Sequence, residues 1–292
     1  MIEILPTAAL KDRGERFFAW LEESRPRHRS IEVAFHWLAR DNAIAGGVLG
    51  GGLAYKFFFW VLSFTVISAG GLGIASSLGE NVEAAVADAG ASESLATSIA
   101  SAAEQSEAGR WWLLFIGAVS FIWFSWGLLR AVRLVHAAAW RVKAESLRSA
   151  PRALAVVLIA PIVVAALTAG AGWVRASTGG LPGLIATLGV GLGFGALWLL
   201  VSMRLPSADV PWTAYLPGAI FLSVGVQALH LFAVYFLEAK LTSASQLYGA
   251  LGLSATMLFY LFLIGRGVVW AAELNAVVWE VRHPQPAGSS TA

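Results

Sequence analysis

Apolar residues in this chain run in long stretches that polar residues barely interrupt. Six can be drawn: Ala43 to Ser77, Trp111 to Trp140, Pro151 to Val174, Leu181 to Met203, Ala214 to Leu237 and Leu247 to Trp279. Each reaches the roughly 20 residues that an α-helix needs to cross a bilayer. None alternates apolar and polar positions over ten residues, as the strands of a membrane barrel do. The pattern predicts an all-α, polytopic membrane protein with six transmembrane helices. The first and last stretches exceed one span and are expected to tilt, bend or protrude.

Polar and apolar residues mix before the first stretch, between Lys11 and Arg40. Ser30 is placed to cap a helix in which Ile31, Ala34, Phe35 and Leu38 share a face, and Trp20 and Trp37 suit a headgroup region. Two short interfacial helices are predicted here. The first apolar run starts too far along to be an ordinary signal peptide and reads as a retained span. The chain then divides into an N-terminal segment at 1–42, a six-helix domain at 43–281 and a disordered tail at 282–292, "HPQPAGSSTA" after Arg282. "RLPSADVPW", with Pro206 and Pro211, marks a turn, and Pro217 falls in the first turn of the fifth helix, where a missing N–H costs little.

Charge sets the expected orientation. The loop at 79–110 carries Glu80, Glu83, Asp88, Glu93, Glu104 and Glu107 against Arg110 alone. The loop after the second stretch carries Arg141, Lys143, Arg148 and Arg152, and the N-terminal segment carries seven further bases. Basic residues stay inside, so both termini are expected in the cytoplasm and the acidic loop outside. Val82, Val86, Leu95 and Ile99 suggest short amphipathic helices in that loop.

Composition narrows the chemistry. Apolar residues make up 58% and charged residues only 13%, against about 25% charged in soluble domains. With no cysteine, disulfides and thiolate metal sites are ruled out. The pI near 9.1 comes from bases clustered at span ends, so no nucleic-acid partner is expected. The five histidines show no ligand spacing with acids, no phosphate-loop motif is present, and no cofactor is expected. "GVGLGFG" lacks both the preceding strand and the spacing of a dinucleotide fingerprint. Ser254 with His230 is the one enzyme-like pairing, and a helix-packing serine is the preferred reading. No enzyme is predicted.

Ionisable residues inside spans are costly and usually mark a polar interior. Here they are Lys56, Arg130, Arg133, Arg266 and Glu273, so the first, second and sixth spans are expected to meet around a basic cavity. Counting depth from the span ends favours an Arg133–Glu273 pair and leaves a positive excess for an anionic ligand. The rival reading has these side chains snorkel to the interface. Gln227 and Asn275 are candidates for hydrogen bonds between helices. Gly46, Gly50 and Ala54 form a small-residue ridge, with others at Gly47/Gly51, Gly189/Gly193 and Gly191/Gly195. Gly249 opens the last span.

The motifs "LAYKFFF", "LLRAVRLVHAAAW", "VPWTAYLPGAIF", "QLYGALG" and "AELNAVVWE" together resemble the YihY/virulence factor BrkB family of bacterial inner-membrane proteins, from the first span to Glu280. Members have been labelled ribonucleases, virulence factors and transporters, and some are connected with envelope lipids. The resemblance implies six spans with a cytoplasmic N-terminus. Many members carry a proline shortly after "AY", where this chain has Ser63. The expected role is a transporter or flippase-like handler of an anionic amphipathic substrate, a phospholipid or envelope lipid. Two alternatives stand beside it: a non-transporting membrane partner that docks an envelope-assembly or lipid-carrying protein, and an ion or small-solute transporter. Membrane lipids are the expected partners, and a homo-oligomer is compatible with the chain.

Overall fold

The computed structural model describes residues 28–78, 81, 83–84, 100–101, 104–105, 108–143, 151–178, 180–232 and 238–284; along parts of 151–187, at 230–231 and over 238–253 it describes the backbone alone. Among these residues the helices are α1 (Arg29–Ala43), α2 (Gly46–Ser77), α3 (Arg110–Trp140), α4 (Pro151–Thr178), α5 (Gly180–Ser202), α6 (Leu216–Phe232) and α7 (Glu238–Arg282). A 3₁₀ turn at Trp212–Tyr215 leads into α6, and the described residues include no strand. Positions before 28, the apolar positions of the acidic loop and the tail from 285 lie outside the described residues.

Only two residues separate α1 from α2. Ala45 adopts a left-handed backbone, φ 52° and ψ 49°, which costs a residue with a Cβ about 1–2 kcal/mol. Its amide donates to Asn42 O at 3.2 Å, and its carbonyl accepts from Val48 N at 2.9 Å. The turn ends one helix and starts the next without a loop, and α1 folds back onto the bundle. Its first turn differs from the sequence expectation. The helix starts at Arg29 after His28, with no side-chain cap, so Ser30 lies inside it. Of the expected face, Ile31 and Phe35 are half-buried while Ala34 and Leu38 are exposed, and the packed side also takes in Val33, Trp37 and the buried Arg40. Arg40 is the reason: its burial fixes the rotation of α1.

The six longer helices run alternately up and down. Along α2 and α3, Gly70 meets Leu114, Ile67 meets Gly117, and Trp60 meets Ser125, so numbers fall on one helix as they rise on the other. Helices α5 and α6 pair the same way, Gly191 with Gln227 and Gly195 with Ser223. Each helix packs on its sequence neighbour, and α7 closes the ring against α2 and also packs on α3. Close approach is specified by glycine. At Gly265 an added Cβ would meet the backbone of Gly50, and at Gly193 it would meet Leu167 of α4. Gly47, Gly51 and Gly189 have nothing within 4 Å of an added Cβ. The ridge expected at Gly47/Gly51 therefore packs on nothing among the described residues, and the Gly189/Gly193 ridge is half used.

Helix ends are closed with equal care. The Val142 amide bonds Ala137 O at 3.0 Å and the Arg141 amide bonds Ala138 O at 3.3 Å, with Arg141 left-handed at φ 54°. This double bond satisfies carbonyls that the end of α3 would otherwise orphan. Ser63, in place of the proline expected by resemblance, donates to Phe59 O at 2.8 Å, and α2 runs through it unbroken.

Four helical stretches are long and apolar enough to cross a membrane: Gly46–Ser77, Arg110–Trp140, Trp212–Leu229 and Ser254–Arg282. Shorter apolar helical stretches cover Leu154–Val164 and Leu188–Ser202. Helix α7, with 45 residues, spans about 67 Å at about 1.5 Å per residue, roughly twice a bilayer core. The outward face of α3 is strongly apolar, with Trp111, Trp112 and Trp123 largely exposed.

Neighbouring glycines on α2 should respond oppositely to one methyl group. In Gly50→Ala the Cβ would lie 2.6 Å from Arg266 Cδ, and a loss of about 1–3 kcal/mol is expected. Gly51→Ala enters open space and should gain about 0.5–1 kcal/mol. Thermal unfolding in detergent checks both; equal shifts would contradict the packing described.

Candidate functional site

Two regions gather unusual chemistry: a polar clamp made by α1, and a cavity at the centre of the ring.

The clamp starts from Arg266 on α7. Its two terminal nitrogens donate to the two carboxylate oxygens of Asp41 on α1, each at 2.9 Å. Both side chains are mostly buried, 12% and 16% exposed. The fork geometry matches a planar guanidinium to a planar carboxylate. The guanidinium also sits 4.6 Å from the centre of the Trp270 ring, a favourable cation–π distance. Gly46 and Gly50 make room for the pair: a Cβ at Gly46 would collide with Asp41, and one at Gly50 with Arg266.

Two arginines of α1 extend the clamp. Arg40 is buried and donates to Ala139 O at the end of α3 and to Glu280 Oε2 at 2.5 Å. Arg29 donates to Val281 O in the last turn of α7 at 3.0 Å. Both place positive charge where helices leave carbonyls unsatisfied and carry negative dipole. Trp37 fills the angle between α6 and α7, edge-on to Phe221 at 5.6 Å and to Trp270 at 6.0 Å.

Glu273 lies behind this clamp, fully buried, with Asp41 and Arg266 as its charged neighbours and Trp37 beside it. Among the described residues neither carboxylate oxygen has a partner in good hydrogen-bond geometry, although Asp41 and Trp37 stand close to it. The Arg133–Glu273 pair expected from sequence does not form. Helix depth was a sound guide along one helix, but α1 folds in beside α7 and presents Asp41 first.

The remaining candidates separate. Arg133 is buried on α3, and Arg130, one turn away, is exposed. Lys56 is half-buried, with its Nζ 3.6 Å from the position of a Cβ on Gly127 of α3. Asn275 Oδ1 accepts the Gly218 amide at 2.7 Å, bonding α7 to an orphan donor in the first turn of α6. Gln227 packs on Gly191. Gly249 lies on α7 where only the backbone is described. Ser254 is exposed, and the His230 side chain lies outside the described residues.

The cavity has a volume of about 400 Å³ and all six ring helices line it, through Trp60, Val132, Val157, Trp198, Val226 and Ile264 in chain order. Lys56, Arg130, Arg133, Arg266 and Glu273 do not line it; the charged residue of its wall is Arg204, exposed in the turn after α5. The cavity is therefore apolar, where the sequence suggested a basic one. Trp60 turns its Nε1–H to Ser125 Oγ at 3.0 Å and leaves its ring to the cavity. Next to the wall, His136 lies fully buried with its ring 5.5 Å from that of Trp198, and Ser202 is buried nearby on α5.

Asp41, Arg40, His136 and Arg204 escaped the sequence reading. One signal pointed to Asp41: a deep arginine on α7 needs an acid, and Asp41 stands just before the Gly46/Gly50 pair. The described residues hold no group of three or more metal-ligand side chains. Comparison with protein families, curated proteins and solved structures found no match to this chain.

The two ends of the Asp41–Arg266 fork should not cost the same to remove. Arg266→Met leaves the Asp41 carboxylate buried without its cation, and a loss of about 3–5 kcal/mol is expected. Asp41→Asn leaves Glu273 as a substitute partner and should cost less, about 1–3 kcal/mol. Unfolding in detergent measures both. A costlier Asp41→Asn would show that Glu273 does not share the arginine.

Proposed function

We propose that the chain is a multi-pass protein of a bacterial inner membrane, with six spans and both termini in the cytoplasm. We propose further that it binds and moves an anionic amphipathic lipid. The observation that carries this reading is the apolar cavity bounded by all six ring helices, with Arg204 at its wall. Burying an apolar chain there gains about 25 cal/mol per Å² removed from water. An arginine at the mouth suits a phosphate or carboxylate, which its planar fork binds with two hydrogen bonds. A phospholipid or related envelope lipid combines the two features. Helices α4 and α5, with 28 and 23 residues, are long enough to span alongside the four more apolar stretches. The basic residues of the α1 end support its cytoplasmic placement, and the resemblance to the YihY/BrkB family supports the inner membrane and a lipid substrate.

Of the positive excess expected to bind the headgroup, Arg266 serves Asp41, and Lys56 and Arg130 do not line the cavity. Headgroup binding therefore moves to Arg204. A wall so poor in polar groups gives little to a hydrated ion, which ranks a small-ion transporter below a lipid handler.

Reconstitution in liposomes with a fluorescent phospholipid tests the reading. Ala160→Trp, which fills the cavity from α4, should reduce lipid movement at least about tenfold if the cavity holds the chain. Arg204→Ala should weaken anionic over zwitterionic lipid by about tenfold or more, the value of a charge-assisted hydrogen bond. Unchanged movement in a folded Ala160→Trp protein would contradict the cavity's role. No lipid movement by the unaltered protein would favour a docking role instead.

A further inference from the structure

Glu273 sets a problem that the lipid reading does not use. A carboxylate taken out of water needs donors to replace it. Glu273 is fully buried, and among the described residues neither of its oxygens has a partner in good hydrogen-bond geometry, with the Asp41 carboxyl and the Trp37 side chain close by. Its charged neighbours are the acid Asp41 on α1 and the base Arg266 on its own helix. Helix α2 packs Gly46 and Gly50 against the Asp41–Arg266 pair, and on α6 the Gly218 amide is taken by Asn275. The other buried arginine of α1, Arg40, is turned to Glu280 and Ala139 O, and Arg133 of α3 makes no hydrogen bond to either Glu273 oxygen. Two carboxylates thus face a single guanidinium whose two terminal nitrogens are both committed to Asp41.

This arrangement is stable with Glu273 as the neutral acid, which needs no cation. Ionised, it would compete with Asp41 for Arg266, seven residues away on the same face of α7. Asp41 sits on α1 four residues before the left-handed hinge at Ala45. Loss of the fork would free the end of α1 nearest that hinge, and leave Arg29 and Arg40 to hold the rest.

We propose that Glu273 is a proton-binding site and that its proton decides whether α1 stays docked on α7. With the proton bound, Arg266 serves Asp41 and α1 is held. With the proton released, Glu273 draws Arg266 away and α1 loosens about the Ala45 turn. The site takes a proton as its ligand and stands apart from the lipid reading, because neither the fork nor Glu273 lines the cavity.

The chain has no cysteine, so spin labels can be placed cleanly. Asn42→Cys on α1, close to the hinge, and Leu134→Cys on α3 are exposed positions outside the clamp. Pulsed electron paramagnetic resonance of the doubly labelled protein in nanodiscs should give a narrow distance at acid pH. At alkaline pH it should shift to a longer, broader distribution. Adding Glu273→Gln should hold the acid distribution at every pH, and Asp41→Asn should give the loosened one at every pH. A full pH response retained in Glu273→Gln, or no response in the labelled parent, overturns the proposal. Should Glu273→Gln fail to fold, infrared spectra of the unaltered protein decide. A protonated-carboxyl band persisting at neutral pH, where exposed carboxylates are ionised, supports the site, and its absence overturns it.

Discussion

A guanidinium inside a bundle of apolar helices has to be answered by an anion, and much of this structure follows from how Arg266 is answered. Its partner comes from α1, not from a neighbouring helix of the ring. For Asp41 to arrive, the chain must reverse within two residues, and Ala45 accepts a left-handed backbone to allow it. Glycine must stand at positions 46 and 50, since any side chain there would enter the space of the pair. The same fold-back brings Arg40 to the end of α3, Arg29 to the end of α7 and Trp37 between α6 and α7. One short helix thus ties three helices of the ring together at one end.

The clamp divides the molecule's chemistry in two. Charge is concentrated where α1 crosses the helix ends, while the centre of the ring is left apolar except at Arg204. A buried ion pair contributes less to stability than its Coulomb attraction suggests, because both charges lose water. Its value here is positional: it fixes the rotation of α1 and its place on α7. The cavity stays free for an apolar occupant because the charged side chains are held elsewhere.

The helices were legible from sequence because span length is set by bilayer thickness and helical rise, both of which leave plain marks in an apolar run. The expected stretch Trp111 to Trp140 became Arg110–Trp140, and Leu181 to Met203 became Gly180–Ser202. Pairings were less legible because they depend on which helices meet. Asp41 looked like part of a polar tail, and only the fold-back makes it an interior residue. Lys56, the odd charge in "GGVLGGGLAYKFFFW", was expected in a basic cavity but lies against Gly127. A lysine in an apolar run advertises its charge, not the face it occupies. The glycines show the same limit: Gly46 and Gly50 make room for the clamp, while a Cβ added at Gly47 or Gly51, one residue along, would meet nothing within 4 Å among the described residues. Local spacing is identical for both pairs, and only the position of α7 tells them apart.

A density map of the protein in nanodiscs formed with its native lipids tests the account most directly. It should show the Asp41 carboxylate seated on the Arg266 guanidinium beside Gly46 and Gly50, with chain-shaped density between Trp60 and Trp198 in the central cavity. Arg266 bonded to Glu273 with α1 lifted from α7, and side chains collapsed into the cavity, would contradict it.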